Sequence, residues 1–358
     1  MHQTFATIDL QRLKYNFSRI KEIAPNSAVL AMIKSNGYGH GLIRVAKTLE
    51  RANAFGVSCI DEALILRSNG ISTPIVVMRG FSDKMELNEF IQNDLMAVIH
   101  HSYQVDLLRE NKTFSTLQIW LKIDTGMHRL GFSPKNLKSV YDRLSSCLSI
   151  QKPIGLMTHL ADADNEDRSF TEWQINRFIK ITENQHVPKS IVNSAGLLNY
   201  PIAFFDWVRP GIMLYGVSPF SWETGVERNL KPVMTLSAKI ISIKNCRPGD
   251  VVGYGCSWRF SENTLIGIVS IGYGDGYLRR IPSGTPTLLH GKTCPLLGRV
   301  SMDMIAIDLN REPNAKIGDE VILWGSNLPI EHIAKQAGTT GYELLCRINQ
   351  RVQFREKR

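Results

Sequence analysis

The first two-thirds of the chain repeats one rhythm: a short apolar run rich in Val, Ile and Leu, then an amphipathic stretch. The apolar runs fall at residues 28–33, 54–59, 74–78, 95–99, 117–123, 153–158, 190–193 and 204–209. They lack strict alternation of apolar and polar positions, as strands buried on both faces do. Helix-like segments lie between most of them, for example at 40–52, 60–68, 136–145 and 168–182. Eight strands with intervening helices predict an α/β fold, an eight-stranded parallel barrel of the TIM type, over residues 1–229.

From residue 230 the rhythm changes. Strand-like runs at 233–244, 265–271, 287–289, 304–308 and 320–324 follow one another directly. Turn residues separate them: Arg247-Pro248-Gly249-Asp250, Ser283-Gly284 and Ile317-Gly318-Asp319. One helix is predicted at 330–337, closed by Gly338. Residues 230–358 therefore read as a second, mainly β domain.

Composition narrows the class. With 43% hydrophobic and 21% charged residues the chain can build a core, which excludes wholesale disorder. Nowhere do 18 apolar residues run together, so no transmembrane helix is expected. Residues 1–17 mix Asp9, Arg12 and Lys14 with apolar residues and lack the apolar core of a signal peptide, so a cytoplasmic protein is expected. The 42 Lys and Arg against 33 Asp and Glu leave a net charge of +9. The cations are scattered, dense only at 351–358, so attraction for anionic substrates fits better than nucleic-acid binding. The cysteines (Cys59, Cys147, Cys246, Cys256, Cys294, Cys346) have no CxxC spacing and read as buried small hydrophobes. The adjacent His100 and His101 read as a surface pair or a helix cap, and no metal site is expected.

The chemistry collects at the C-terminal ends of the predicted barrel strands, where barrels of this kind place their active sites. The first strand ends in Lys34, followed by Ser35-Asn36-Gly37-Tyr38-Gly39-His40-Gly41. A lysine closing an apolar strand is costly to bury, and a desolvated amine is suited to forming a Schiff base. The fifth strand runs into Lys122-Ile123-Asp124-Thr125-Gly126-Met127-His128-Arg129, the sixth ends in His159, the seventh in Asn193-Ser194-Ala195-Gly196 and the eighth in Arg209-Pro210-Gly211-Ile212. Ser194 and the backbone around Gly211 lie where barrels commonly bind phosphate. A strand-end lysine with a phosphate site is the pair that pyridoxal phosphate needs.

These blocks resemble those of the alanine racemases. The similarity starts at Met32-Ile33-Lys34-Ser35-Asn36-Gly37-Tyr38-Gly39-His40-Gly41 and passes through Lys122–Gly131, Thr158-His159, Asn193-Ser194-Ala195 and Arg209-Pro210-Gly211. It continues in the second domain through Val252-Gly253-Tyr254-Gly255, Ile271-Gly272-Tyr273-Gly274-Asp275-Gly276-Tyr277 and Gly298-Arg299-Val300-Ser301-Met302-Asp303. The resemblance implies a pyridoxal 5′-phosphate enzyme that interconverts L-alanine and D-alanine with two bases. It implies a homodimer whose active sites use both subunits, and a supply of D-alanine for cell-wall peptidoglycan.

It also implies roles. Lys34 carries the cofactor and serves the D-isomer, while Tyr254 of the partner subunit serves the L-isomer; without the resemblance Tyr254 reads as a core aromatic. Arg209 faces the pyridine nitrogen, and His159 joins it in a relay. Arg129 contacts the cofactor and the substrate carboxylate, which the backbone of Met302 of the partner subunit also holds. Tyr38, Ser194, Gly211 and Ile212 hold the phosphate. Lys122 matches a position that is often carbamylated. Tyr273 and Asp303 line the substrate entry. Gln350 departs from many relatives, which have a phosphate-binding tyrosine nearby. The rival readings are a broader serine/alanine racemase, a barrel-type decarboxylase, which would want an acid in place of Arg209, and a non-catalytic cofactor carrier.

Overall fold

The computed structural model describes residues 3–111 and 116–357; the outermost residues of the 1–17 and 351–358 segments lie outside them. The first strand, β1 (Thr4–Asp9), is almost wholly buried. Eight parallel strands then close a barrel: β2 (Ala28–Met32), β3 (Ala54–Val57), β4 (Ile75–Val77), β5 (Leu95–Ile99), β6 (Leu117–Lys122), β7 (Ile150–Met157), β8 (Lys189–Ser190) and β9 (Trp207–Val208). The ring closes where Ala28 and Val29 pair with Trp207 and Val208. Residues such as Val29, Leu30, Ile75, Ala97 and Leu121 are fully enclosed, so the apolar runs meet the burial that a parallel sheet demands. Each predicted barrel strand is present, but the last two shrink to two residues each. After Ser190 the chain leaves the ladder, and Asn193 caps the helix Ser194–Asn199 instead of extending a strand.

The C-terminal strands are β10 (Met234–Cys246), β11 (Val251–Val252), β12 (Trp258–Arg259), β13 (Thr264–Val269), β14 (Pro286–Leu289), β15 (Lys292–Leu297), β16 (Ile305–Asp308), β17 (Glu320–Trp324) and β18 (Gln353–Lys357). All except the β11–β12 hairpin join one sheet with β1. The long β10 pairs antiparallel with β1 and β17 through its first half and with β13 through its second, across a register shift between Ile240 and Ser242. The strand β18 lies parallel on the other edge of β1. The predicted helix is present as Ile330–Gln336, and Gly338 takes the left-handed conformation just beyond it.

The chain divides into two compact units, and the division differs from a cut at residue 229. Phe17–Gly37 and Gly41–Leu214 form the barrel unit. Residues up to Asn16, Tyr38–His40 and everything from Tyr215 onward form the other. The reason is β1: its backbone partners are β10 and β18, so the N-terminus is built into the C-terminal sheet. Two bonds continue this attachment. The side chain of Asn16, fully buried, donates to the Lys231 carbonyl at 2.9 Å and accepts from the Lys231 amide at 2.8 Å. We predict that Asn16→Ala costs about 1–3 kcal/mol, because it strips partners from two backbone groups at once. Urea unfolding with an unchanged m-value should read this loss as a lowered midpoint.

Candidate active site

The barrel's first strand delivers Lys34 to an unusual turn. Ser35, Asn36, Gly37 and Tyr38 all have φ between 51° and 63°, the left-handed region that L-residues avoid. The Gly37 amide donates to the Ile33 carbonyl at 2.8 Å, and the Asn36 side chain accepts from Leu42 at 2.8 Å. Glu62 accepts from the Asn36 amide at 3.3 Å and the Ser58 amide at 2.8 Å. A Cβ on Gly37 would come within 2.9 Å of Val45, so the turn closes tightly after Lys34. The helix predicted from residue 40 therefore starts only at Leu42.

Arg209, just after β9, is 3% exposed. Its guanidinium donates to Ser190 Oγ at 2.6 Å and to the carbonyls of Thr158 at 2.5 Å and Ile191 at 3.0 Å. A fourth contact runs at 3.4 Å to His159 Nδ1. Burial lowers its pKa to about 10, still far above neutrality, so Arg209 remains a cation. A guanidinium has no acceptor, so Nδ1 of His159 must accept and Nε2 carries the ring proton. Burial, then the cations Arg209, Lys122, Arg129 and Lys34, push the His159 pKa well below its ordinary value. His159 is thus a neutral imidazole of one tautomer.

Lys122 closes β6 and is 6% exposed. Burial, then Arg209, Arg129 and Lys34, lower its pKa to about 8, against a weaker opposing pull from Asp124. Asp124 shapes the following loop: its carboxylate accepts from the amides of Gly126 at 3.0 Å and His128 at 3.1 Å and faces His128 Nδ1 at 3.0 Å. Although burial opposes it, these bonds hold the Asp124 carboxyl below its ordinary value. Arg129 follows, exposed. Ser194 Oγ accepts from the amides of Gly211 at 2.8 Å and Met213 at 3.4 Å, which ties the loops after β8 and β9 together. Ile212 is buried beside them.

The electrostatics thus link Lys34, Lys122, Arg129, His159 and Arg209 at the strand ends of one barrel, with Ser194, Gly211 and Ile212 in the neighbouring loops. The remaining candidates lie in the other unit. Tyr38 is buried and stacks on Tyr215 at 4.8 Å between ring centres; burial, then Cys346, raise its pKa. Tyr254 is 70% exposed, which removes the core reading. It sits in a turn where Gly253, Gly255 and Cys256 all have positive φ. Tyr273 and Met302 are exposed on two loops joined by the Gly274 amide, which donates to the Met302 carbonyl at 2.8 Å. Asp303 accepts from Arg351 at 2.5 Å, and Gln350 is exposed on the adjacent turn.

Sequence reasoning missed several residues that fix this arrangement: Gln174, Thr125, Thr158 and Ser190, all buried. A buried polar residue in a helix's apolar stripe is a legible sign, and Gln174 occupies one with Thr171, Ile175 and Phe178. The cysteines need correcting too: Cys147 and Cys294 are buried, but Cys256 and Cys346 are exposed. Of the adjacent histidines, His101 caps the helix Ser102–Glu110.

A parallel barrel that gathers two lysines, two arginines and a neutral imidazole at its strand ends carries its charge where enzymes of this fold place their active sites. Residues 8–219 match the model of the alanine racemase N-terminal domain, and residues 233–356 that of the alanine racemase C-terminal domain. An alanine racemase of Coxiella burnetii is 62% identical over 361 aligned residues, 99% of each chain, and one of Nitrosococcus oceani is 47% identical over 97% of each. Among solved structures, the biosynthetic alanine racemase of Pseudomonas aeruginosa superposes with a TM-score of 0.96 at 39% identity over the whole of both chains. The alanine racemase of Acinetobacter baumannii gives 0.94 at 39% identity, again over both whole chains. The chain belongs to the alanine racemase family, and it is an isomerase. No helix among the described residues is long and apolar enough to cross a membrane.

The lowered pKa of Lys122 has a consequence for stability. The folded protein gives up this proton near pH 8 and the unfolded chain near pH 10.5, so between those values unfolding takes up a proton. Stability should therefore climb as pH rises through this window. In carbonate-free buffer, Lys122→Met should flatten the climb by about 1–3 kcal/mol between pH 7.5 and 10. Urea midpoints of both proteins at several pH values measure it.

Proposed function

We propose that this enzyme interconverts L-alanine and D-alanine in the cytoplasm, as a homodimer using pyridoxal 5′-phosphate, and so supplies D-alanine for peptidoglycan. The observation that carries the proposal is the buried, still cationic Arg209 beside a neutral His159, amid Lys34, Lys122 and Arg129. The donor set fits the cofactor. Lys34 offers an amine for its aldehyde, Arg209 a permanent N–H donor for its pyridine nitrogen, and Ser194 with the Gly211 and Ile212 backbone a cradle for its phosphate. Tyr38 is proposed to reach the phosphate as well, and Arg129 the phenolic oxygen.

When bound, the cofactor supplies a sink for the electron pair left at the substrate's α-carbon. The chain's own residues do the rest. Arg129 and the backbone amide of Met302 of the partner subunit are proposed to hold the substrate carboxylate and thereby to orient the α-carbon's hydrogen. Lys34 takes the proton from D-alanine, and Tyr254 of the partner subunit takes it from L-alanine on the opposite face. A phenol is a weak base near neutrality and needs a charged neighbour, the role proposed for Arg209, with the neutral imidazole of His159 as the relay between them. Because Arg209 cannot give up its proton at working pH, it keeps the pyridine nitrogen unprotonated and limits how much charge the ring draws. Lys122, with a neutral fraction near pH 8, is suited to carbamylation, which would set a negative charge against Arg129. Tyr273 and Asp303 are proposed to line the entry.

With purified holoenzyme, the circular dichroism of added L-alanine should decay to zero as D-alanine forms. Borohydride should fix the cofactor on the peptide that contains Lys34, and Lys34→Ala should remove both the visible absorbance and the racemisation. Label on Lys122 instead would overturn the assignment.

Tyr254→Phe should leave cofactor binding intact and slow solvent exchange of the L-alanine α-proton by about 10²–10⁴-fold, the usual worth of a general base. Exchange from D-alanine should persist, since Lys34 can return the proton to the face it came from. A mixed dimer of Lys34→Ala and Tyr254→Phe subunits holds one doubly defective site and one intact site. It should recover about half of the wild-type activity per dimer. No recovery in a verified heterodimer would place both bases in one chain.

A further inference from the structure

Helix Ser169–Thr182 buries a stripe of Thr171, Gln174, Ile175, Phe178 and Thr182. Gln174 is fully enclosed in it, where an apolar side chain would avoid the cost of desolvating an amide. Its amide is bonded at both ends. The oxygen accepts from the Ala161 amide at 2.8 Å. The nitrogen donates to Thr125 Oγ1 at 3.2 Å and to the His159 carbonyl at 3.3 Å. Thr125 Oγ1 also shares a hydrogen bond with Thr158 Oγ1, 2.8 Å away, in which either hydroxyl can donate. The carbonyl of that same Thr158 receives Arg209 at 2.5 Å. One side chain on a helix thus grips both the loop that leads to Arg129 and the segment that carries His159.

We infer that Gln174 is a positioning residue for the reaction: by tying Thr125, His159 and Ala161 together it holds the imidazole against Arg209, with Nδ1 accepting and the ring proton kept on Nε2. This rests on the proposed racemase chemistry only for its effect on rate; the effect on the imidazole itself does not depend on it. The distances give the inference its force. The Arg209–His159 contact is already long at 3.4 Å, so a small drift of the segment breaks it and frees the tautomer. The charged groups facing His159 are Arg209, Lys122, Arg129 and Lys34, all cations, so no carboxylate among them holds the ring in place. The neutral amide of Gln174 does so without adding charge.

The test uses the holoenzyme labelled with ¹⁵N-histidine, with the His159 resonances identified by their loss in His159→Asn. In the wild type His159 should show the neutral tautomer protonated at Nε2, without titrating between pH 6 and 9. Gln174→Leu removes all three bonds and should give mixed tautomers, and kcat/KM for L-alanine should fall by about 10²-fold, the scale expected for a misplacement of about 1 Å. Gln174→Glu keeps the shape and the bond accepted from the Ala161 amide, loses both donated bonds and brings a carboxylate to the ring's own segment. It should raise the His159 pKa by about one unit or more and move the acid limb of the rate profile with it. Unchanged His159 shifts and titration in Gln174→Glu would overturn the inference. So would a rate loss in either variant with an unaltered imidazole spectrum, since that marks a merely structural role. If the wild type fails to racemise alanine, the proposed reaction falls while the spectra still decide the role of Gln174.

Discussion

Four cationic side chains meet at one end of a barrel whose strands are otherwise apolar, and their mutual repulsion is the constraint on which the site depends. Lys34, Lys122, Arg129 and Arg209 all act on His159, and three of them act on Lys122. Burying like charges together is unfavourable unless each is bonded or can shed its proton. The chain uses both routes. Arg209 keeps its charge and spends its N–H groups on two carbonyls, a hydroxyl and an imidazole nitrogen. Lys122 and His159 yield instead, the one toward a neutral amine and the other to a neutral ring. What remains is positive potential at the strand ends, which an anionic ligand would relieve.

The barrel was legible because parallel strands buried on both faces leave continuous apolar runs, and those runs end where the chemistry begins. Two features hid from that reading for physical reasons. The segment Thr4–Asp9 pairs with strands from the far end of the sequence, so no local pattern connects it to them. The strands at 190–193 and 204–209 are shorter than their apolar runs: their ladders shrink to Lys189–Ser190 and Trp207–Val208, and Asn193 turns to cap the helix Ser194–Asn199.

The site was legible in its charged members and opaque in its supports. A lysine after an apolar strand announces itself, and so does an arginine. The turn after Lys34 could not be read from residue type, since Ser35, Asn36 and Tyr38 are ordinary residues forced into a left-handed path. Tyr254 looked like a core aromatic because strand-like sequence surrounds it, yet positive φ at Gly253, Gly255 and Cys256 turns it outward into a sharp, exposed bend. Gln174 was concealed by its neighbours: inside an apolar stripe, one amide is easily taken for a tolerated exception.

The placement of β1 between β10 and β18 bears on how the molecule is made. On the ribosome Thr4–Asp9 emerges before both strands that it must pair with, which start at Met234 and at Gln353, after the whole barrel. The barrel, whose strands pair mostly with their neighbours in sequence, can close while this strand stays unsatisfied. Until β10 and β18 are available, the strand is a nascent β-edge open to the wrong partner. Closing the C-terminal sheet is therefore the high-contact-order, slow event of biogenesis, and the barrel's assembly is the local, rapid one.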